Sequence, residues 1–511
     1  MYTISFEKIQ SLLKKEELLR EILHDGIWHY RLTDVNILET EFSSITYHSE
    51  KAQNGSLFFC KGMNFKEEYL DEVLRDGVSF FISEQFYIKE GAVGLIVTDV
   101  RKAMAVIAAE FYDYPQNKMK MIGVTGTKGK TTTVFFLQNI LSHTTNGKTA
   151  LVSSIHNTVD GKNYEEALLT TPESIELFQL MAQSVENGMT HFVMEVSSQA
   201  YKLDRVYGIQ FDAGIFLNIS TDHVGPLEHR DFEDYFYCKR QLLNHSDQVV
   251  LYHGTDHYTL LKELTLEQNK TLITYGDHHP DSQYYIEDDA GDSSRFHIKS
   301  SENDFLNIEG DYLIGIPGDF NKENALSATI VSALFGASRK DCWTGIENTR
   351  VPGRMSIFKL RNGSTAYVDY AHNYISLKRL LEFVKVEHPD GKVIALIGSP
   401  GGKGTSRRKD FGEVLSDHSD VAILTSDDPS FDDPVDIAKE IASHIKNDID
   451  IQIIGDRIEA IEYALTLANP EDSIVIAGKG DHTHQIIDGK WEPYEGDDLL
   501  TERFIRDGKL L

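Results

Sequence analysis

The run Gly123-Val-Thr-Gly126-Thr127-Lys128-Gly129-Lys130-Thr131-Thr132 holds the most specific chemistry in the chain. An apolar stretch, Lys120–Val124, precedes it and a helical pattern follows, the context that a phosphate-binding loop needs. Glycines let the backbone wrap a phosphate with its N–H groups pointing inward. Lys130 can then reach the β- and γ-phosphates, and the Thr131 hydroxyl can bind Mg²⁺. The spacing departs from the general G-x-x-x-x-G-K-[ST] pattern, because Val124 stands five residues before Gly129. The Asn-Lys pairs at Asn117, Asn269 and Asn321 lack the Asp, two residues on, of a guanine reader, so adenine is the expected base. Glu195, in Met194-Glu-Val-Ser197-Ser198, and His223, in Asn218-Ile-Ser-Thr-Asp222-His223, close two further apolar runs. A hard carboxylate and an imidazole beside a phosphate loop make a plausible Mg²⁺ shell. Each has a plain alternative as an exposed acid or a structural histidine; their joint placement favours the metal.

These residues need strands to aim them. Short apolar runs at His191–Val196, Gly214–Ile219 and Gln248–Tyr252 suggest strands beside Lys120–Val124, with a helix from Thr131 and another over Asn321–Leu334. Residues 255–312 are polar and read as loops and edge strands. Before the loop, SLFFC at 56–60, VSFFIS at 78–83 and VGLIVTDV at 93–100 alternate with an Ala-rich helix, Arg101–Phe111, and Tyr114-Pro-Gln-Asn117 reads as a linker. The last section places runs at Ala366–Asp369, Val393–Ile397, Val421–Leu424, Ile451–Ile454 and Ile474–Ala477, mostly with helix-length segments between them. That alternation predicts a doubly wound α/β domain with ligands at the C-terminal strand ends.

The chain has 511 residues, with 50 Lys+Arg against 80 Asp+Glu and a formal charge of −30. Such acidity argues against nucleic acid or an anionic membrane as partner. Cys60, Cys238 and Cys342 lie far apart, which argues against disulfides or a cysteine zinc site. The N-terminus is charged throughout, no apolar run approaches the ~18 residues of a membrane span, and a cytosolic multidomain protein is expected.

Further motifs follow in order: Thr170-Thr171-Pro172-Glu173, Glu195-Val-Ser-Ser, Asp222-His223, Phe320-Asn-Lys-Glu-Asn324-Ala-Leu, Val351-Pro-Gly-Arg354-Met, Asp369-Tyr-Ala-His372-Asn373 and Gly478-Lys479-Gly480. With the phosphate loop, the series resembles the Mur ligases of peptidoglycan synthesis, most closely the MurE type, over essentially the whole chain. The resemblance implies three α/β domains: a small UDP-binding domain (1–117), a central phosphate-loop ATPase domain with a mostly parallel sheet (118–350) and a C-terminal Rossmann-like domain for the incoming amino acid (351–511). It implies a cytoplasmic enzyme, with a monomer expected, that phosphorylates the free carboxylate of UDP-N-acetylmuramoyl-L-alanyl-D-glutamate with ATP and passes the acyl group to an amine. Its site residues carry over motif by motif. Gly126, Thr127, Lys128, Gly129, Lys130, Thr131, Thr132, Asn324, Arg354 and Asp369 would bind ATP. Thr131, Glu195, His223 and Lys239 would hold Mg²⁺, Lys239 as a CO₂-derived carbamate. Ser49, Thr170, Thr171, Ser197 and Arg205 would bind the UDP substrate.

The family's discriminating segment falls at Asp427-Asp428-Pro429-Ser430. Diaminopimelate enzymes have Arg where Ser430 stands, and an Arg fork recognises the additional carboxylate. Without it, and with Asp427, Asp428, Asp432 and Asp433 making the loop acidic, L-lysine is the expected amino acid and L-ornithine the runner-up. Arg407 or Arg408 would take its α-carboxylate, with Gly478 and Asp481 nearby. Three departures stand out: His48-Ser49-Glu50 for Asp-Ser-Arg, Asn373-Tyr374 for Asn-Pro, and Gly480-Asp481-His482 where the family has an amine-binding Glu. His482 and His484 have no third ligand nearby in sequence and carry no metal expectation. Two competing readings are a folylpolyglutamate synthase, opposed by residues 1–117, and a non-catalytic ATP sensor, which has no use for Lys239.

Overall fold

The computed structural model describes residues 2–62, 65–221, 225, 228–276, 278–289, 294–316, 318–402 and 404–507. They form two compact units, the first mainly Met1–Asp289 with Arg295–Leu313 and Glu323–Ile346, the second mainly Glu347–Leu511.

The first unit carries a two-stranded sheet, Ile4–Ser5 with Glu41–Phe42, and two large ones. The smaller has six strands in the order Ile27–His29, Leu19–His24, Val93–Val97, Phe80–Ser83, Ser56–Phe59 and Ser44–Thr46, the last four parallel. The larger has eleven. Seven run parallel: Thr149–Val152, His191–Glu195, Lys120–Thr125, Phe211–Phe216, Ser246–Tyr252, Thr271–Gly276 and Tyr284–Asp288, with antiparallel strands at both edges. Parallel strands are covered on both faces, which is why runs such as Lys120–Thr125 are apolar almost throughout.

Two expectations need correction. The expected linker at Tyr114–Asn117 leads into a one-turn helix, Pro115–Lys118, with Pro115 and Gln116 buried. The helix before it, Val100–Phe111, buries eight of its twelve residues. It packs on Ser174–Glu186, so Met104, Phe178 and Met181 share one core with Phe6 and Leu57 of the first section and Met121 of the central one. A helix with so wide an apolar surface must be covered on both sides, so the chain break seen in Tyr-Pro does not separate the cores. The polar stretch 255–312 contains a helix, Tyr258–Glu267, besides strands that extend the sheet. It buries only Leu261 and Thr265, too narrow a stripe to read as helical periodicity.

The second unit has a six-stranded sheet in the order Ser356–Lys359, Thr365–Asp369, Ser473–Ala477, Val393–Ser399, Val421–Ser426 and Asp450–Ile453, the last five parallel. Helices Tyr374–Glu387, Ser406–His418 and Pro434–Ser443 pack in a row, and Arg457–Leu467 packs with Asp497–Arg506, the doubly wound arrangement expected. Its C-terminal strand ends are tied by Arg457, which is 1% exposed. The guanidinium donates to Ser426 O (3.1 Å), to Ala477 O (2.8 Å) and to both oxygens of Asp497 (2.9 and 2.7 Å). Tyr494 OH also donates to Asp497 (2.7 Å). Breaking a buried pair strands a charge, so Asp497→Ala lowers the unfolding free energy of this unit by about 3–5 kcal/mol in urea denaturation. A loss below about 1 kcal/mol would show that Arg457 does not tie the strand ends together.

Candidate active site

The phosphate loop leaves its strand between two neighbours that hold it. On one side, Val196 N donates to Val124 O (2.8 Å) and Thr125 Oγ1 donates to Val196 O (2.8 Å). On the other, Leu217 N donates to Thr125 O and Thr127 N to Asn218 O, both at 3.0 Å. Asn218 also brackets Lys128, accepting from its N–H (2.9 Å) and donating to its carbonyl (3.1 Å). The Thr127 hydroxyl meets Tyr235 OH (3.0 Å) and accepts from Ser220 N (3.0 Å), so its side chain anchors the loop. Gly129 has φ +85°, and a Cβ there would lie 2.5 Å from Asn324 Oδ1. Asn324 therefore packs on the loop at the start of helix Lys130–Thr145.

Two lysines converge on one carbonyl. Gly126 O accepts from Lys130 Nζ (2.9 Å) and from Lys239 Nζ (2.6 Å). Lys239 is only 2% exposed and comes from helix Phe232–Asn244, so the residue that looks like a surface lysine in sequence lies inside the site.

Glu195 pairs in register with Val124 and is fully buried. Its carboxylate accepts from Ser154 N (2.7 Å) and Ser154 Oγ (3.1 Å). Ser154 Oγ also lies 3.0 Å from Thr170 Oγ1. Thr171 Oγ1 donates to Glu195 O (2.9 Å) and lies 3.3 Å from Ser197 Oγ, which caps helix Ser198–Lys202. The expected metal ligand and substrate hydroxyls thus form one connected group, with Ser154 as the joint that sequence reasoning missed. His223 and Asp222 lie outside the described residues. Ser49 opens a one-turn helix, Ser49–Lys51, in the small sheet's part of the unit, beside His48, which is 3.6 Å from Glu176. Arg205 does not stand open: its guanidinium holds Glu173 (2.9 and 2.8 Å) and donates to Thr171 O (3.0 Å).

In the second unit, Asp369 closes its strand, accepting from Met355 N (2.9 Å), and Arg354 lies over the Tyr370 ring at 4.5 Å. Burial pushes the Asp369 carboxyl up, and Arg354 opposes that. The expected amino-acid loop is internally paired. Lys479, 1% exposed, holds Asp428 (2.7 Å) and Asp427 (3.5 Å). Burial still pushes the Asp427 carboxyl up against that lysine. Asp432 sits 3.3 Å from Arg408, and Asp433 caps helix Pro434–Ser443. Ser430 bridges to Ile487, and its N–H donates to Ile486 O (2.8 Å). A cavity of about 410 Å³ opens beside it, lined among others by Pro429, Ser430, Asp433, Asp456 and Gln485. Gly478 N donates to Asp369 O (3.1 Å), joining the two strand ends.

Asp481 turns toward the Gly353 turn, where a Cβ on Gly353 would meet its amide and Oδ1 at 2.6 Å. His482 instead lies tilted against Tyr370 (4.6 Å between ring centres), with Lys479, Arg354, His484 and Asp428 around it, and burial together with the cations pushes it down to about 4. The structure also separates the two arginines. Arg408 is 8% exposed and donates to Glu440 (2.5 Å) and Pro400 O (3.3 Å), whereas the Arg407 side chain makes no hydrogen bond or ion pair among the described residues and only its backbone N–H donates, to Gly404 O (3.0 Å).

The chain matches the Mur ligase middle domain over residues 124–332 and the Mur ligase glutamate ligase domain over 353–480. It is 51% identical to a curated Enterococcus faecalis protein named UDP-N-acetylmuramoyl-L-alanyl-D-glutamate–L-lysine ligase, over 98% of this chain and 99% of that one. A Streptococcus pneumoniae protein of the same name is 44% identical over 98% and 100%. Among solved structures, a UDP-N-acetylmuramoyl-L-alanyl-D-glutamate–2,6-diaminopimelate ligase aligns at TM-score 0.66 with 23% identity, covering 99% of both chains. The Thermotoga maritima MurF ligase in complex with ADP aligns at 0.61 with 16% identity, covering 91% of this chain and 98% of that one. Both likenesses concern the fold.

Because Arg408 anchors its helix and Arg407 does not, Arg408→Ala lowers the melting temperature, by roughly 2–4 °C for each kcal/mol lost, while Arg407→Ala leaves it unchanged. A calorimetric scan decides; equal shifts would remove the distinction.

Proposed function

The chain belongs to the Mur ligase family, and on that premise we propose that it joins L-lysine to the D-glutamyl carboxylate of UDP-N-acetylmuramoyl-L-alanyl-D-glutamate, driven by ATP, in peptidoglycan synthesis. The full-length likeness to a relative whose name states that reaction carries the reading.

A carboxylate is a poor electrophile and needs a leaving group. Its oxygen takes the γ-phosphoryl group of ATP, releasing ADP. The lysine amine, having given up its ammonium proton, attacks the acyl carbon; the tetrahedral intermediate expels phosphate, and the nitrogen loses a further proton to become the amide. The loop amides from Gly126 to Thr132 and the Lys130 ammonium offset charge on the moving phosphoryl group. Thr131 and Glu195 offer hard oxygen donors for Mg²⁺, with His223 as a further ligand. They fit the ion: Glu195 is buried and oriented by Ser154, and Lys239 brings its amine to the loop carbonyl. Carbamylation by CO₂ would turn that cation into an anionic oxygen ligand. When bound, Mg²⁺ adds charge neutralisation to that of Lys130.

Asn324 and the Arg354–Asp369 pair are assigned to the adenosine and phosphates of ATP. Ser49, Thr170, Thr171, Ser197 and Arg205 are assigned to the UDP substrate. Asp427, Asp428, Pro429, Ser430, Gly478 and Asp481 frame the amino acid, and Arg407 takes its α-carboxylate as a bidentate partner. The functional partition is 1–117, 118–350 and 351–511, in a cytoplasmic monomer. Among the described residues no helix is long and apolar enough to cross a membrane.

Incubation with Mg-ATP, the UDP precursor and single amino acids tests the reading by phosphate release and product mass. A lysine adduct is expected. An ornithine or diaminopimelate adduct overturns the assigned amino acid, and no adduct with any amine overturns the ligase reading. Lys239→Ala abolishes adduct formation while circular dichroism shows the fold intact; full turnover in that variant would sink the carbamate.

A further inference from the structure

Glu173 receives three cations. Its Oε2 lies 2.6 Å from Lys61 Nζ and 3.5 Å from an Arg101 guanidinium nitrogen, and its Oε1 lies 2.9 and 2.8 Å from two nitrogens of Arg205. Four separate segments supply the group. Lys61 follows strand Ser56–Phe59, Arg101 opens helix Val100–Phe111, Glu173 precedes helix Ser174–Glu186, and Arg205 follows helix Ser198–Lys202. The four side chains are only 10–25% exposed.

Three cations meet this one carboxylate directly. Burial pushes the Glu173 carboxyl up, but Arg205, Lys61 and Arg101 outweigh it and hold the group below its usual range. Burial lowers the Lys61 ammonium despite Glu173. The next carboxylates are engaged elsewhere as well: Glu176 is shared with Tyr47 and His48, and Asp204, which also feels Arg101, lies between Lys102 and Asp99. The Arg101 nitrogen nearest Glu173 is buried and, at 3.5 Å, forms an ion pair without a hydrogen bond. Poorly solvated cations with unmade hydrogen bonds are costly unless a further anion meets them. The cluster is continuous with the hydroxyl group around Glu195, because Arg205 donates to Thr171 O. Resting on the reading above, the substrate's D-glutamyl residue brings two carboxylates: one is activated and the other stays an anion.

We propose that Lys61 and Arg101 join Arg205 in binding the D-glutamyl carboxylate that is not activated, with Glu173 holding the three cations converged. Arginine and lysine around one carboxylate make charge-assisted bonds stronger than neutral ones. The two added residues come from the part of the chain before the phosphate loop, so substrate capture draws on both large sheets of the first unit.

Calorimetric binding of UDP-N-acetylmuramoyl-L-alanyl-D-glutamate, and of the analogue with that carboxylate as a carboxamide, tests the proposal. Lys61→Ala weakens binding of the natural precursor at least about tenfold, Lys61→Arg restores most of it, and ATP affinity is unchanged. The carboxamide binds the wild type at least about tenfold more weakly, and Lys61→Ala costs it nothing further. Arg101→Ala behaves like Lys61→Ala. Losses that multiply, or a lower melting temperature with unchanged precursor affinity, would make the cluster a structural tie and overturn the proposal. The readout is independent of the amino acid: precursor binding in this pattern without lysine ligation overturns only the ligation reading, and lysine ligation with a precursor affinity indifferent to Lys61→Ala overturns only this one.

Discussion

Everything in the first unit depends on one strand being flanked by two parallel neighbours in register. Lys120–Thr125 lies between His191–Glu195 and Phe211–Phe216, with Glu195 opposite Val124 and Gly214 opposite Gly123. That register puts a carboxylate at one shoulder of the phosphate loop and Asn218 at the other. A slip of one residue would turn each side chain to the other face of the sheet and carry Glu195 away from the loop. The loop needs little side-chain help to keep its shape, because its amides and carbonyls are bonded to the segments that follow those neighbours. Its own side chains then divide between anchoring, as with Thr127 and Tyr235, and chemistry, as with Lys130.

A second pattern runs through both units: charges that look available in sequence are already paired in the fold. Arg205 holds Glu173, Arg408 holds Glu440 and Asp432, Lys479 holds Asp427 and Asp428, and Arg457 holds Asp497. A protein with a formal charge of −30 has anions to spare, and its buried cations find them first. Such pairs orient the guanidinium and ammonium groups before a ligand arrives, which reduces the ordering cost of binding.

The strands and the phosphate loop were legible because their physics is local. A buried parallel strand needs a short apolar run, and the loop needs glycines next to Lys and Thr. The helix Tyr258–Glu267 was not legible, since one narrow buried stripe in a polar segment imitates a loop. The continuity of the core across Pro115 was not legible either, since it depends on what covers the helix Val100–Phe111. In the site, the motifs that bring Glu195, Thr171 and Ser197 together could be read in order along the chain. Ser154, Lys61 and Arg101 could not. Each is an ordinary surface residue type in sequence, and only the fold places it against a carboxylate from a distant segment.

The acidic loop in the second unit shows what such pairing does to selectivity. In sequence, four aspartates between Asp427 and Asp433 suggest a site that draws an ammonium by surplus negative charge. In the structure Lys479 takes two of them, Arg408 a third, and the fourth caps a helix. The motif departure places its acid at the edge of that frame, because Asp481 packs on Gly353 and the residue facing Asp428 is His482, held neutral by burial and its cationic neighbours. On the proposed reaction, the loop discriminates less by attracting lysine than by offering no cation to a second carboxylate. Ser430 stands where an arginine would be needed, and Lys479 and Arg408 are committed. A diaminopimelate carboxylate would enter desolvated and unpaired, and a polar group left unpaired on burial costs more than a missing attraction. By the same logic Ser430→Arg alone is expected to be a poor route to diaminopimelate: the new cation would meet the internally balanced aspartates before it met a substrate.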